Sequence, residues 1–218
     1  SDREGLGQVQ LARGHWQRTA GRYSESEASC VSAVESLTSS RDDGLRAAWE
    51  VERWNSAAWG AAERTTTGTG DGISDLLEAS AMARDSLTRI AERPFTPRWL
   101  GAMQQATECE LLAATATGMV PHGLARRLEI AWAAADADQE RMRTGEPALR
   151  CNLAWALRLC GHRERAAAEA QRAGMEAGRI GLATVRGRAL ALRRLHELPA
   201  WNRQALLLDR LLTLADAG

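Results

Sequence analysis

An all-α fold built from antiparallel helix pairs is predicted by three observations. Strand signals are nearly absent: the 218 residues include one Tyr and one Phe, and no stretch alternates apolar with polar residues over strand length. Ala, Leu, Arg and Glu, all strong helix formers, dominate instead. Apolar residues recur at helical spacing, and Gly, Pro or Ser and Thr clusters interrupt them at short intervals.

The breaks place the elements. Gly21 separates a first helix from a second. Ser39 and Ser40 precede a third, with Asp42 or Asp43 as its N-cap. That helix carries Trp49, Trp54 and Trp59 and is expected to end before Thr65, where a run through Gly72 reads as a flexible loop. Asp71 or Ser74 caps a fourth helix that reaches about Glu92. Pro94 and Pro97 mark the next break, and Pro97 suits the first turn of a fifth helix. Gly118 to Gly123 divide the fifth from the sixth, Gly145 and Pro147 the sixth from the seventh, and Gly161 the seventh from the eighth. Gly178 or Gly181 ends the eighth, and Pro199 opens a tenth after a ninth. About ten helices on short links must pack antiparallel to their neighbours. Five such hairpins in series predict a right-handed solenoid, with residues 1–218 as a single domain.

Composition narrows the function classes. Hydrophobic residues make up 44% and charged residues 26%, as in an ordinary soluble protein large enough to bury a core. No apolar stretch is long enough for a membrane span, and no basic start precedes an apolar run, so a cytoplasmic location is the expectation. The chain begins with Ser1 rather than Met, which fits a processed product or an excised piece. Its 28 basic residues, all Arg, balance 28 acidic ones; a dedicated nucleic-acid binder would carry a basic excess. Arg without Lys, beside abundant Ala and Gly, suggests GC-rich coding of the actinobacterial kind.

Signals for catalysis or a cofactor are missing. Cys30, Cys109, Cys151 and Cys160 form no CxxC and sit in helical patterns, so buried free thiols are expected. His15, His122, His162 and His196 have no metal-ligand spacing, and Cys160 beside His162 is too few ligands for a site. Gly68–Thr69–Gly70–Asp71–Gly72 lacks both the Lys of a phosphate loop and the carboxylate spacing of a calcium loop. No GxSxG occurs, and nothing points to a nucleophile with its base. The eight Trp residues read first as fillers of large inter-helix positions, and second as the lining of a pocket. From Cys151 onward 11 Arg face 6 acidic residues, with Arg186, Arg188, Arg193 and Arg194 clustered; this reads as a solvated face rather than an anion site.

Two hairpins carry the pattern of a tetratricopeptide unit, in which small residues let two helices approach and a Gly makes the turn. Asn152–Leu153–Ala154–Trp155–Ala156–Leu157 leads to Gly161, and Ala166, Ala170 and Ala173 follow on one face. Gly14–His15–Trp16 precedes Gly21, with Cys30 and Ala33 after it; Gln17 departs from the pattern, at a position usually large and apolar. Residues 44–118 form hairpins without the signature residues. With Trp99–Leu100 and the stretch from Trp132 through Leu195, these segments resemble the helical-repeat region of large actinobacterial LuxR-type transcriptional regulators. Those proteins carry an ATP-binding module, a tetratricopeptide-like region and a helix-turn-helix. The resemblance implies a non-catalytic sensor or interaction scaffold without a cofactor, binding a peptide, partner domain or small effector on its concave face. The repeat register puts His15, Arg18, Asn152, Trp155 and Arg158 in that groove, with Cys151 and Leu159 beside them. No GxxxxGK[ST] loop and no helix-turn-helix after Arg194 are present, so neither ATP nor DNA binding is expected of this segment. A free-standing adaptor and an enzyme with an unrecognised helical site are the alternatives. Residues 199–218 read as one amphipathic helix whose leucines, Leu206, Leu207, Leu208, Leu211, Leu212 and Leu214, suit the preceding hairpin or a homodimer contact.

Overall fold

The computed structural model describes residues 2–37, 42–90, 96–137 and 145–194. Among them the chain is all-helical, without a strand. The helices are α1 (Arg3–Thr19), α2 (Tyr23–Ser36), α3 (Asp43–Thr67), α4 (Gly72–Ile90), α5 (Pro97–Thr117), α6 (Leu124–Ala137), α7 (Gly145–Leu159), α8 (Arg163–Ile180) and α9 (Ala183–Arg194). The tenth helix expected from Pro199, and its leucine stripe, lie outside the described residues.

Local chemistry sets the helix ends. Asp42 is the N-cap of α3, its carboxylate accepting from the Leu45 N–H at 2.8 Å. Asp71 does the same for α4, accepting from Ser74 N–H at 3.3 Å. Pro97 is the first residue of α5, where its missing N–H costs nothing. Gly181 rather than Gly178 ends α8, in a left-handed conformation (φ 80°). One expectation is corrected: α3 does not stop before Thr65 but runs two further residues past it. Thr65 and Thr67 return their hydroxyls to the carbonyls of Ala61 and Glu63, so the threonines satisfy themselves within the helix. The left-handed Gly68 (φ 69°) then makes the stop.

The contacts divide into two compact units, Ser1–Cys109 and Glu110–Gly218. In unit 1 each helix packs on the next, α1 on α2, α2 on α3 and α3 on α4, while α1 also touches α3. Trp49 packs with Ala33, Val34 and Leu37, and Tyr23 stacks on Trp59 at 6.2 Å between ring centres. In unit 2, α6 packs on α7, α7 on α8 and α8 on α9, and α7 also touches α9. Ala166, Ala170, Ala173 and Ala177 form the buried face of α8, and Ala154 of α7 is fully buried as well.

Small residues set how closely α1 and α2 approach. A Cβ on Gly14 would stand 2.7 Å from Cys30 Sγ and 3.1 Å from the Ser26 carbonyl oxygen. The Ser26 hydroxyl closes the contact by donating to the Gly14 carbonyl at 2.7 Å. Gly14→Ala would gain about 1 kcal/mol of helix propensity against an overpacking cost of roughly 1–3 kcal/mol. Urea unfolding is therefore expected to show net destabilisation, partly relieved by Cys30→Ala in the same chain. Gly101, with nothing within 4 Å of its Cβ position, is the control: Gly101→Ala should stabilise by up to about 1 kcal/mol.

Candidate functional site

Unit 1 holds a polar network in a place where apolar packing would be ordinary. On α3, Trp49, Glu52, Ser56 and Trp59 follow one another at helical spacing, and all four are buried. Glu52 therefore occupies a core position, and α1 supplies its counter-charge: Arg18 Nη2 lies 2.8 Å from Glu52 Oε1. Both side chains are under a tenth exposed. Arg18 also donates to Nδ1 of His15 at 3.0 Å, and that ring nitrogen lies 3.5 Å from Glu52 Oε1. One turn on, Asn55 donates to the Gln105 carbonyl (3.0 Å) and to Glu108 Oε2 (3.2 Å) on α5. Trp59 Nε1 donates to the same Glu108 oxygen at 3.3 Å, and Gln104 bonds its other oxygen.

The charges are mutually held. Burial, the largest single effect, pushes the Glu52 carboxyl up, but the Arg18 charge, the neighbouring His15 and a hydrogen bond from Gln105 together outweigh it and hold the group at about 2. Burial works to lower Arg18, and the carboxylates of Glu52 and Glu108 overcome it, so Arg18 stays above its ordinary value. Two buried atoms at the centre, Arg18 Nη1 and Asn55 Oδ1, have no hydrogen-bond partner among the described residues. Cys30 borders the network, and burial followed by the Glu52 charge pushes its thiol up to about 11, which leaves it a poor nucleophile.

The expected groove residues divide between the units. In unit 1, Arg18 is buried within the network, whereas His15 is 60% exposed at its edge. In unit 2, Asn152 and Trp155 are buried. Trp155 Nε1 donates to Thr115 Oγ1 at 3.0 Å, tying α7 to α5. Arg158 and Leu159 are half-buried, and Cys151 is buried. Gln17, the departure from the repeat pattern, is also buried; its amide oxygen accepts from the Ser29 hydroxyl at 2.7 Å, which satisfies a polar group at a position that otherwise takes an aromatic or aliphatic one.

A second charged cluster fastens unit 2. The Arg150 guanidinium stacks 4.5 Å over Trp132 and reaches Glu146 at 3.1 Å, Glu176 at 3.5 Å and Glu169 at 3.7 Å. Trp132 Nε1 donates to Glu146 at 2.7 Å, so α6, α7 and α8 share one knot. Burial, with the neighbouring Glu146 charge, pushes the Glu176 carboxyl up. Among the described residues no group of His, Cys, Asp and Glu could hold a metal ion.

The members that sequence reasoning missed are Glu52, Asn55, Gln105 and Glu108. A signal existed for Glu52, a carboxylate on the apolar stripe between Trp49 and Trp59. Its partner Arg18 was marked by the repeat register, but as a groove residue and not as the counter-ion of Glu52. No known family model matches the chain, and the comparison with curated proteins finds none similar to it.

Proposed function

We propose that the chain is a non-catalytic, tetratricopeptide-like interaction or effector-sensing scaffold of the kind that LuxR-type bacterial regulators carry, with its helix pairs stacked as a solenoid. One observation carries the reading. The network of unit 1 is built from alternate helices, α1, α3 and α5, which contribute His15 and Arg18, Glu52 and Asn55, and Gln105 and Glu108. In a stack of hairpins, the first helix of each pair lines the inner surface, so alternate helices meet there. A polar inner face suits a peptide or a small effector with both donors and acceptors, and His15, 60% exposed, is where the network meets solvent. His15 and Trp16, both exposed on α1, provide the adjoining contact surface.

The test is affinity capture by the full chain combined with native mass spectrometry of the purified protein. A retained peptide, partner or small molecule is expected, with affinity reduced about tenfold or more in His15→Ala and Trp16→Ala. Trp16 is exposed, so Trp16→Ala should leave the melting temperature unchanged, whereas His15→Ala also takes an acceptor from the buried Arg18 and should lower it slightly. Capture of nothing, or a bound species indifferent to both substitutions, would remove the support for this reading.

A further inference from the structure

Three carboxylates converge on one buried guanidinium in unit 2. Arg150 of α7 has Glu146 at 3.1 Å, Glu176 at 3.5 Å and Glu169 at 3.7 Å. The first two compete for a single hydrogen. Both approach Arg150 Nε, which carries one N–H, and that N–H donates to Glu146 Oε1. Trp132 Nε1 donates to the same Glu146 oxygen at 2.7 Å. Two donors therefore hold Glu146 as the anion. Glu176 receives neither: its Oε2 is buried and has no hydrogen-bond partner among the described residues. A carboxylate oxygen left in that state is costly. Glu146 also lies within hydrogen-bond reach of Glu176, and two carboxylates so close cannot both ionise cheaply. No ligand atom can reach a covered oxygen, but a proton needs no room.

We propose that Glu176 carries a proton that it donates to Glu146, and that this shared proton is a pH-sensitive latch of α8 on α7. The surrounding charges permit it. Burial first, and then the Glu146 charge, push the Glu176 carboxyl up against the attraction of Arg150 and Arg179. Arg172 is drawn instead to Glu169, at 3.3 Å. On α9, Arg186 and Arg193 line the groove over Gly174 and Gly178, on the other flank of α8. Glu129 of α6 engages Arg165, three turns back along α8. The folded chain thus keeps this proton above pH 4.5, the ordinary value, where the unfolded chain has released it. The latch is complete below that value and is lost as pH rises through the folded one. Its slope is opposite to that set by Glu52 in unit 1, whose carboxyl is held low. The inference is independent of what binds at the network of unit 1.

Hydrogen exchange of the full chain, read by mass spectrometry on peptides of α7 and α8 and corrected for the intrinsic rate, tests the latch. Protection there should rise about threefold or more from about pH 7.5 to about pH 5, with α3 and α4 as the internal reference. Glu176→Gln keeps the size of the side chain and supplies a permanent donor to Glu146. It should give the strong protection at both pH values. His162, at the N-cap of α8, is the other group that titrates in this range, and His162→Asn should leave the dependence intact. Carbon-13 NMR of the glutamate carboxyls supplies a direct reading: one should titrate above the ordinary range and be missing in Glu176→Gln. Protection of α7 and α8 that does not change with pH would overturn the proposal. So would a dependence that survives Glu176→Gln or disappears in His162→Asn, or a spectrum in which no glutamate titrates high.

Discussion

Glu52→Gln is expected to destabilise unit 1 by roughly 3–5 kcal/mol, because it leaves the Arg18 charge buried without its counter-ion. Arg18→Met should cost a similar amount by stranding the carboxylate. The informative chain is the double variant, Arg18→Met with Glu52→Leu. It removes both charges, so its loss should be smaller than that of either single change. Equilibrium unfolding in urea measures all three; losses that simply add would mean the two residues are not coupled as their 2.8 Å contact requires. The same pair sets an acid limb. The Glu52 carboxyl titrates at about 2 in the folded chain, below its ordinary 4.5. Its contribution is therefore complete above about pH 4.5 and is lost as pH falls towards 2. Melting temperature followed over that window should fall more steeply in the unaltered chain than in the double variant.

Trp155→Ala should be comparably severe, about 3–5 kcal/mol, by leaving a large cavity in the core of unit 2. Thr115 would lose its donor, although its hydroxyl still reaches the Leu111 carbonyl at 2.6 Å. Trp155→Phe keeps most of the volume and drops only the indole N–H, so a smaller loss of about 1–2 kcal/mol is expected. The experiment separates two roles for one residue. A side chain lining an open groove can be removed within about 0.5 kcal/mol, whereas one buried to 1% exposure cannot. Urea unfolding of the two variants decides between them.

These two sites also mark how far the sequence could be read. Trp155 and Asn152 were recognisable as special by their place in a repeat-like hairpin, but repeat register alone does not say whether a position faces a ligand or a neighbouring helix. Arg18 was singled out by the same register, and the structure brings it to Glu52. Glu108 and Gln105 carried no mark, because residues 44–118 lack the signature spacing that would have aligned them with α1 and α3. The threonines after Glu63 were misread as a loop because Thr–Gly clusters usually break helices, while here two hydroxyls bond back one turn.

By itself the sequence determined the helical class and the first turn at Pro97, and it narrowed the caps to Asp42 or Asp43 and to Asp71 or Ser74, and the stop of α8 to Gly178 or Gly181. Each of these is fixed by backbone geometry and hydrogen bonds within a few residues, so it is written locally. The tertiary structure alone decided that Glu52 meets Arg18, that Trp155 is buried against Thr115, and that the contacts divide at Cys109. Those outcomes join residues far apart in the chain. They depend on which apolar faces bury each other and on where a buried charge can find its opposite, and no local spacing encodes either.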